Sequence, residues 1–298
     1  MYFRSLSLLL LPATAQAVNV VLGNDDGWAE INIRQFYDAL TSASNSVVLS
    51  APADNESGTG SLDAPPRTRI TACEFNSCPA NSPPTGTNAS QPSFHYVNSY
   101  PVTAIKYGLQ NFSSSPADIV VTGPNVGANL GLADQGSGTV GAATEAVKEG
   151  VPAIAFSGTT GSQTAWNVQP VPDYAAIYAD LATNVTEALI GSGKPYLPSN
   201  VFLNVNFPAA GSGTSCTKLS QFKFVLSRIN TALPFFSGVD VTTCNNGGRL
   251  PTENDVVGTD GCYASISPGH ADSKLTATAA QQQVVLNKLG KILSCLPS

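Results

Sequence analysis

The chain has 298 residues, of which 42% are hydrophobic and 11% are charged, with 26 glycines and 21 prolines. This composition indicates a compact, loop-rich protein and excludes an intrinsically disordered one. The formal net charge of −6 argues against a nucleic-acid backbone, and so against a nucleic-acid duplex, as the partner.

Residues 1–17 have the pattern of a secretory signal peptide. Arg4 precedes an apolar run over residues 6–12, and Ala15-Gln16-Ala17 is a small-x-small cleavage pattern. The run is too short to span a bilayer, and no membrane partner is expected. We therefore expect residues 18–298 to be secreted as a single domain, with a core over about 18–210 and a C-terminal part over about 211–298.

Cysteine and asparagine usage agrees with export. In an oxidising compartment cysteines form disulfide bonds more often than metal sites, and none of these cysteines belongs to a CxxC pair. Only Cys73–Cys78 is predicted as a specific pair, because the intervening residues make a feasible small loop. The six cysteines are Cys73, Cys78, Cys216, Cys244, Cys262 and Cys295. Asn-x-Ser/Thr sequons predict a glycosylated surface, and they lie at Asn55, Asn88, Asn111 and Asn184.

The first predicted strand ends in two adjacent carboxylates. The apolar run from Val18 leads into Asn24, Asp25 and Asp26 and then into Gly27. In open α/β sheets ligands lie beyond the carboxyl ends of the strands, so these oxygen donors stand where a divalent metal is expected. The alternative is a simple Asp-rich turn, since Asn, Asp and Gly are common turn residues.

A helix and a second strand follow. Apolar side chains at Ile33, Phe36, Tyr37 and Leu40 have helical spacing, and residues 46–51 form an apolar strand. The loop over residues 54–61, which contains Ser57, is rich in small residues and glycines. It is either a ligand-approaching segment or a plain surface loop.

The middle of the chain alternates again between strand and helix. Residues 65–92 are predicted to be irregular, residues 94–97 a strand, residues 102–112 a helix behind Pro101, and residues 117–122 a buried strand. The polar loop over residues 123–131 follows and contains Asn125 and Asn129. It is the third strand end that carries polar, glycine-flanked side chains.

A helix begins near Ser137-Gly138-Thr139. Val140, Ala143 and Val147 share one face of it, and Gly150 and Pro152 end it. Free N–H groups at a helix start favour an anion, which predicts a phosphate here, while the alternative is helix capping alone. The run also matches G-x-G-x-x-G, but no strand leads directly into it, so we do not expect a dinucleotide site.

The second half contains more consecutive strands. Residues 151–156, 200–207, 222–226 and 263–267 are predicted strands, residues 174–190 a helix, and Val285, Leu289, Ile292 and Leu293 mark a final helix. The strand-helix alternation of the first half predicts an α/β fold with a mostly parallel sheet flanked by helices. The second half favours an antiparallel extension.

The collected side chains favour metal chemistry over histidine or serine chemistry. Carboxylate, hydroxyl and amide oxygens suit Mg²⁺, Mn²⁺ or Ca²⁺ rather than zinc. The two histidines, His95 and His270, lie outside these clusters, which argues against a histidine phosphatase or a zinc hydrolase. No G-x-S-x-G motif is present, which argues against a serine esterase.

Together these segments resemble the SurE family, the stationary-phase survival protein nucleotidases. Several ordered motifs at matching intervals carry the resemblance over most of the mature chain. They are Val21–Gly27, Ala51-Pro52 with Glu56-Ser57-Gly58, Gly123–Gly131, Ser137–Ala143, Leu203-Asn204-Val205-Asn206-Phe207-Pro208 and, more weakly, Thr252–Pro268.

The resemblance implies a Rossmann-like core over about 18–210 and a C-terminal hairpin and helix over about 211–298. This C-terminal part exchanges between subunits of a homodimer or higher homo-oligomer. It implies a divalent-metal-dependent phosphomonoesterase that hydrolyses nucleoside 5′- or 3′-monophosphates, with broad acid phosphatase activity. Its metal ligands fall on Asp25, Asp26, Ser57 and Asn125, with the aspartates catalytic. Its phosphate and substrate positions fall on Asn24, Asn129, Ser137, Gly138 and Thr139.

Three features depart from the family pattern. The familiar members are cytosolic, whereas this chain has a predicted signal peptide, cysteines and sequons. Residues 65–92 have no clear counterpart, and residues 99–104 replace the usual Gly-Thr-Pro-x-Asp-Cys. Gly123-Pro124 stands where the family has a Ser-Gly-Ile context, although Asn125 is kept.

The chemistry leaves two questions open. Phosphoryl transfer needs positioning and charge stabilisation, which a metal on Asp25 and Asp26 would supply. The attacking group is either water, with an aspartate as base, or a carboxylate. A secreted glycoprotein that keeps the fold for binding without catalysis is the alternative function.

We also expect Asn55 to carry little or no glycan, since its sequon contains Ser57, a predicted metal ligand that a nearby sugar would crowd.

Overall fold

The computed structural model describes residues 17–233, 235 and 237–297. Residues 1–16, which hold most of the predicted signal peptide, lie outside the described residues. The strands are β1 (Asn19–Gly23), β2 (Ser46–Pro52), β3 (Thr85–Asn88), β4 (Gln91–Val97), β5 (Ile119–Val126), β6 (Ala153–Gly158), β7 (Val201–Phe207), β8 (Lys223–Leu226) and β9 (Tyr263–His270). The α-helices are α1 (Ile31–Ser42), α2 (Pro101–Tyr107), α3 (Gly138–Lys148), α4 (Asp173–Gly191), α5 (Glu253–Gly258) and α6 (Ala279–Leu289).

The strands form one sheet in the order β3-β4-β2-β1-β5-β6-β7-β9-β8. Strands β4, β2, β1, β5, β6 and β7 are parallel, which confirms the predicted mostly parallel α/β fold. From β1 the chain builds outward to β2 and β4, and then returns to place β5 on the other side of β1. The strand order therefore reverses between β1 and β5, the point where α/β proteins bind ligands.

Apolar side chains pack on both faces of the sheet. One core includes Phe36 of α1 and Leu181 of α4, and the other includes Ile105 of α2 and Val140 of α3, all almost completely buried. Because both faces are covered, the central strands are continuous apolar runs rather than alternating ones. No helix in the described part of the chain is long and apolar enough to cross a membrane.

The predicted antiparallel extension is confirmed, with a difference in its form. Strand β9 pairs antiparallel with β7, and β8 pairs parallel with β9. Residues 227–262 connect β8 to β9 over a long path, so the two strands run in the same direction and do not form a hairpin with each other. The helix α5 lies within this connection and had no apolar periodicity to predict it.

Two local predictions were wrong. Residues 65–92 are not irregular throughout, because β3 pairs antiparallel with β4. The Asn88 side chain accepts hydrogen bonds from Ser90 N (2.9 Å) and Gln91 N (3.1 Å), which closes the turn between these strands. The last helix ends at Leu289 rather than including Leu293, because the chain then extends along β8, where Ser294 N donates to Phe224 O (2.7 Å).

All six cysteines are paired. The pairs are Cys73–Cys78, Cys216–Cys262 and Cys244–Cys295. The predicted pair Cys73–Cys78 is therefore confirmed, and the other two bonds fasten the C-terminal region. Three disulfide bonds are compatible with an extracellular protein.

Candidate active site

The turn after β1 is held by its own asparagine. Asn24 Nδ2 donates to Gly27 O (2.9 Å), and Gly27 N donates to Asn24 Oδ1 (3.2 Å). Gly27 has a φ of +107°, which an L side chain rarely adopts. Asn24 therefore fixes the turn that presents Asp25 and Asp26, whose exposed fractions are only 2% and 1%.

Asp25 meets the start of α3. The Thr139 hydroxyl donates to Asp25 Oδ1, and a Cβ added to Gly138 would lie 2.8 Å from Asp25 Cβ. Burial raises the pKa of Asp25, while hydrogen bonds from the Thr139 side chain and from the backbone of residues 138 and 139 oppose that rise. Gly138 and Thr139, which are predicted to lie near a phosphate, thus contact Asp25, and the phosphate position itself stays a prediction.

Asp26 is held by hydrogen bonds from two other segments. Its Oδ2 accepts from Val126 N (2.9 Å), and its Oδ1 accepts from Gln163 Nε2 (2.9 Å). Burial raises the pKa of Asp26 well above its ordinary value, and the charges of Asp25 and Glu30 raise it further. Two adjacent, buried carboxyl groups therefore lie at one strand end.

Asn125 reaches the site because β5 is irregular. The pairing of β5 with β6 shifts register between Thr122 and Asn125, which redirects the strand end as a bulge does. A Cβ added to Gly123 would lie 2.2 Å from Phe156 O, so only glycine fits there. Asn125 Oδ1 comes within 3.4 Å of Thr139 Oγ1, so Thr139 faces both Asp25 and Asn125.

The loop with Ser57 is attached to both β1 and α3. Glu56 N donates to Asp25 O (2.7 Å), and Gly60 N donates to Gly136 O (2.9 Å). The contact with α3 is so close that a Cβ added to Gly141 would lie 1.9 Å from Gly60 O. The predicted ligand-approaching loop is therefore positioned by backbone contacts, and Ser57 itself is exposed.

These elements enclose a cavity of about 360 Å³. Among the predicted site residues, it is lined by Asp25, Ser57, Asn125, Asn129 and Ser137. Asn24, Asp26, Gly138 and Thr139 are not among its lining residues, although each adjoins a lining residue in the chain or, as Thr139 does, hydrogen-bonds to one. Larger clefts of about 580 and 560 Å³ lie beside Lys194 and beside β8, away from the paired aspartates.

Asn129 and Ser137 each use a polar side-chain atom in a hydrogen bond within the protein. Asn129 Nδ2 donates to Ser157 Oγ (2.8 Å). Ser137 Oγ caps α3 by accepting from Val140 N (3.1 Å). Ser137 therefore both caps α3 and borders the cavity, and the phosphate predicted at this helix start stays a prediction.

Three acidic or amide side chains near Asp26 were not predicted. Gln163 lies in an irregular segment with no motif, and Glu30 caps α1 by accepting from Asn32 N (2.5 Å). Burial raises the pKa of Glu30 to about 8 and that of Glu74 to about 7. Of these residues, only Glu30 had a detectable signal, because it directly precedes the first helical residue.

The donor set fits a hard divalent cation. Within the described part of the chain, neither Asp25 nor Asp26 forms an ion pair with a lysine or arginine, so two buried carboxyl groups lack a cationic partner. The hydroxyl of Ser57 and the amide oxygen of Asn125 are further oxygen donors. Among the described residues there is no cluster of three or more His, Cys, Asp or Glu side chains suited to a metal.

The fold and site define an α/β protein with an oxygen-lined cavity at the strand-order reversal of its sheet. The family model described as "Survival protein SurE" matches residues 20–227. The chain belongs to the SurE family.

Curated relatives and a solved structure agree with this assignment. An acid phosphatase of Yarrowia lipolytica is 33% identical over 93% of this chain and 86% of its own. A 5′-nucleotidase SurE of Lawsonia intracellularis is 30% identical over 64% of this chain and 66% of its own. A crystal structure of the SurE protein from Aquifex aeolicus matches with a TM-score of 0.56 and 21% identity, over 90% of this chain and 98% of that chain. At that identity, the structure supports the fold alone.

Proposed function

We propose that this protein is a divalent-metal-dependent phosphomonoesterase that hydrolyses nucleoside 5′- or 3′-monophosphates and related phosphate monoesters. The observation that carries the proposal is the pair of buried carboxyl groups, Asp25 and Asp26, at the edge of a cavity that also includes Ser57 and Asn125. Family membership and the activities named for the relatives support the same reaction class.

The proposed metal ligands are Asp25, Asp26, Ser57 and Asn125, and Mg²⁺, Mn²⁺ or Ca²⁺ suits this set. When bound, the ion supplies positive charge that stabilises the phosphoryl oxygens and the leaving oxygen in the transition state. Asp25 reaches the cavity directly. Asp26 also accepts from Val126 N (2.9 Å), next to Asn125, and so helps to place that ligand.

The protein's own residues position the substrate and a proton. Asn129 and Ser137 border the cavity where we place the phosphate, and the backbone around Asn129 fixes that wall. We assign Asp25 as the base that accepts a proton from the attacking water, because its carboxyl group is the one that lines the cavity. Thr139 orients this carboxyl group through its hydroxyl hydrogen bond.

Export and assembly are also proposed. A signal peptide at residues 1–17, three disulfide bonds and the exposed sequon residues Asn111 and Asn184 suit a secreted glycoprotein. Exchange of the C-terminal part, residues 211–298, between subunits would make a homo-oligomer. Mass measurement of the secreted protein in solution tests both statements, since it reports the mature N-terminus and the oligomeric state.

Chelation tests the proposed reaction. Treatment with EDTA should abolish hydrolysis of nucleoside monophosphates, and Mg²⁺ or Mn²⁺ in excess should restore it. A folded wild-type protein with no phosphomonoesterase activity at any metal concentration would instead favour the binding function. Activity that survives complete chelation would refute the metal requirement.

A further inference from the structure

Two buried asparagines of β7 lie beneath the loop that follows β5. Asn204 and Asn206 have exposed fractions of 0%, and nothing in the proposed reaction uses them directly. Both belong to the run Leu203–Pro208, which carries part of the family resemblance. Fully buried amides must find hydrogen-bond partners, so their contacts indicate what they do.

Asn206 holds the backbone of Asn129. Asn129 N donates to Asn206 Oδ1 (2.8 Å), and Asn206 Nδ2 donates to Asn129 O (2.7 Å). This pair of bonds fixes one peptide segment in the way that a neighbouring strand would. Asn206 therefore sets the position of Asn129 in the cavity wall.

Asn204 connects the same carbonyl to two buried carboxyl groups. Its Nδ2 lies 3.0 Å from Asn129 O, 3.1 Å from Asp134 Oδ2 and 3.0 Å from Glu253 Oε2. Glu253 Oε1 also accepts from Gly131 N (2.6 Å). Glu253 belongs to α5 in the C-terminal region. The C-terminal region therefore contacts the loop that follows β5 through the Glu253 side chain.

The hydrogen-bond count around Asn204 is unbalanced. An amide nitrogen has two hydrogens, yet oxygens of three different groups surround Nδ2. Within the described part of the chain Asn204 Oδ1 has no hydrogen-bond partner. One additional proton, on a carboxyl group, corrects the excess of acceptors.

The charges around the two carboxyl groups also favour a proton. Asp134 and Glu253 are fully buried, and neither forms an ion pair within the described residues. The cation that faces Asp134 is Lys274, but its Nζ donates to Gln135 O (3.2 Å), and burial lowers its pKa to about 8. Two like charges at this depth are costly unless one is neutralised.

We propose that Asp134 keeps a proton next to Glu253, and that the protonated pair holds Asn204 against the Asn129 carbonyl. Asp134, Asn204 and Glu253, which we term the Asn204 network, are then positioning residues for the loop with Asn125 and Asn129. This inference rests on the proposed phosphatase function only for its kinetic readout. Loss of the proton would place two carboxylates around one amide group and loosen the loop.

The network predicts a loss of activity in alkali. Burial and the charge of Glu253 raise the pKa of Asp134 to about 9, and burial raises the pKa of Glu253 as well. Because the proton is bound below the raised pKa and released above it, the assembled loop is the low-pH form. Activity should therefore decline as the pH rises through this range, with kcat falling more than KM changes.

The test compares the neutral isostere with a deletion at Asp134. Asp134→Asn carries no proton to lose, so it should retain activity within about tenfold of wild type at pH 6 and show no alkaline decline. Asp134→Ala should lose activity at every pH, because it removes the carboxyl group that carries the proton beside Glu253 and leaves a cavity next to Asn204. The exposed Asp180→Asn, on α4, is the matched control and should keep the wild-type profile. An alkaline decline in Asp134→Asn identical to that of wild type would overturn the proposal.

An infrared measurement on the wild type separates this inference from the proposed function. The difference spectrum of wild type minus Asp134→Asn at neutral pH should contain the carbonyl band of a protonated, buried carboxyl group, and this band should disappear in alkali. Asp26 and Glu30, whose pKa values are also raised, are present in both proteins and cancel in the difference. This readout needs neither catalysis nor a bound metal. Absence of the band from the difference spectrum of the two folded proteins refutes the proton on Asp134, whereas an inactive wild type whose difference spectrum contains the band refutes only the phosphatase proposal.

Discussion

Gly141→Ala tests whether the backbone contact between α3 and the Ser57 loop positions the candidate site. The added Cβ would lie 1.9 Å from Gly60 O, whereas such atoms essentially never approach within 3.0 Å. The loop must therefore retreat by about 1 Å or more, and a shift of that size can cost on the order of 10²-fold in rate. We expect a loss of this magnitude in the hydrolysis of a nucleoside monophosphate.

The stability of Gly141→Ala supports the same reasoning. An alanine inside a helix usually stabilises by roughly 0.5–1 kcal/mol, but overpacking against backbone costs about 1–3 kcal/mol. The net effect should be a lower melting temperature by circular dichroism. Gly191→Ala is the matched control, because it ends α4 with nothing within 4 Å, and it should keep full activity. Wild-type kinetics in a folded Gly141→Ala protein would refute the positioning of Ser57 by α3.

Further predictions concern covalent chemistry and stability. Thiol titration of the denatured, unreduced protein should find no free thiol, and a titratable cysteine would contradict the three disulfide bonds. Peptide mapping should find Asn55 with little or no glycan, since Ser57 N donates to Asn55 Oδ1 (2.8 Å) and Ser57 lines the cavity. Complete glycosylation of Asn55 in active protein would contradict the assignment of Ser57 as a metal ligand. The free energy of unfolding should fall as the pH rises from about 4 toward 9, because buried Asp134 binds its proton more tightly folded than unfolded; stability that rises over this interval would contradict that proton.

Local patterns predicted the elements that place the candidate site. The apolar runs of β1, β2 and β5 reflect burial on both faces of the sheet. Polar residues follow each run and mark where the strand ends, so both features can be predicted from the sequence. Parallel pairing then brings Asp25, Ser57 and Asn125 to one edge, as expected. The pair Cys73–Cys78 was predictable because its ends are close in the chain.

Contacts between distant segments were not predictable in the same way. Gln163 reaches Asp26 across 137 positions, and Glu253 reaches Gly131 across 122, with no periodicity to mark either. The contact between Thr139 at the start of α3 and Asp25 after β1 also had no signal in the sequence, which marked this helix start only as a place for a phosphate or a cap. The register shift at Gly123 depends on its fit against Phe156, which composition does not reveal.

The most direct test of the proposed function measures nucleotide hydrolysis as a function of Mn²⁺ concentration for Asp25→Asn, with Asp180→Asn as control. A neutral isostere should preserve the fold, since it relieves repulsion between Asp25 and Asp26. We predict that the apparent metal affinity and the maximal rate both fall, the rate by about 10²-fold or more, while the control matches wild type. A folded Asp25→Asn protein with wild-type metal dependence and rate would contradict the metal site and the proposed function built on it.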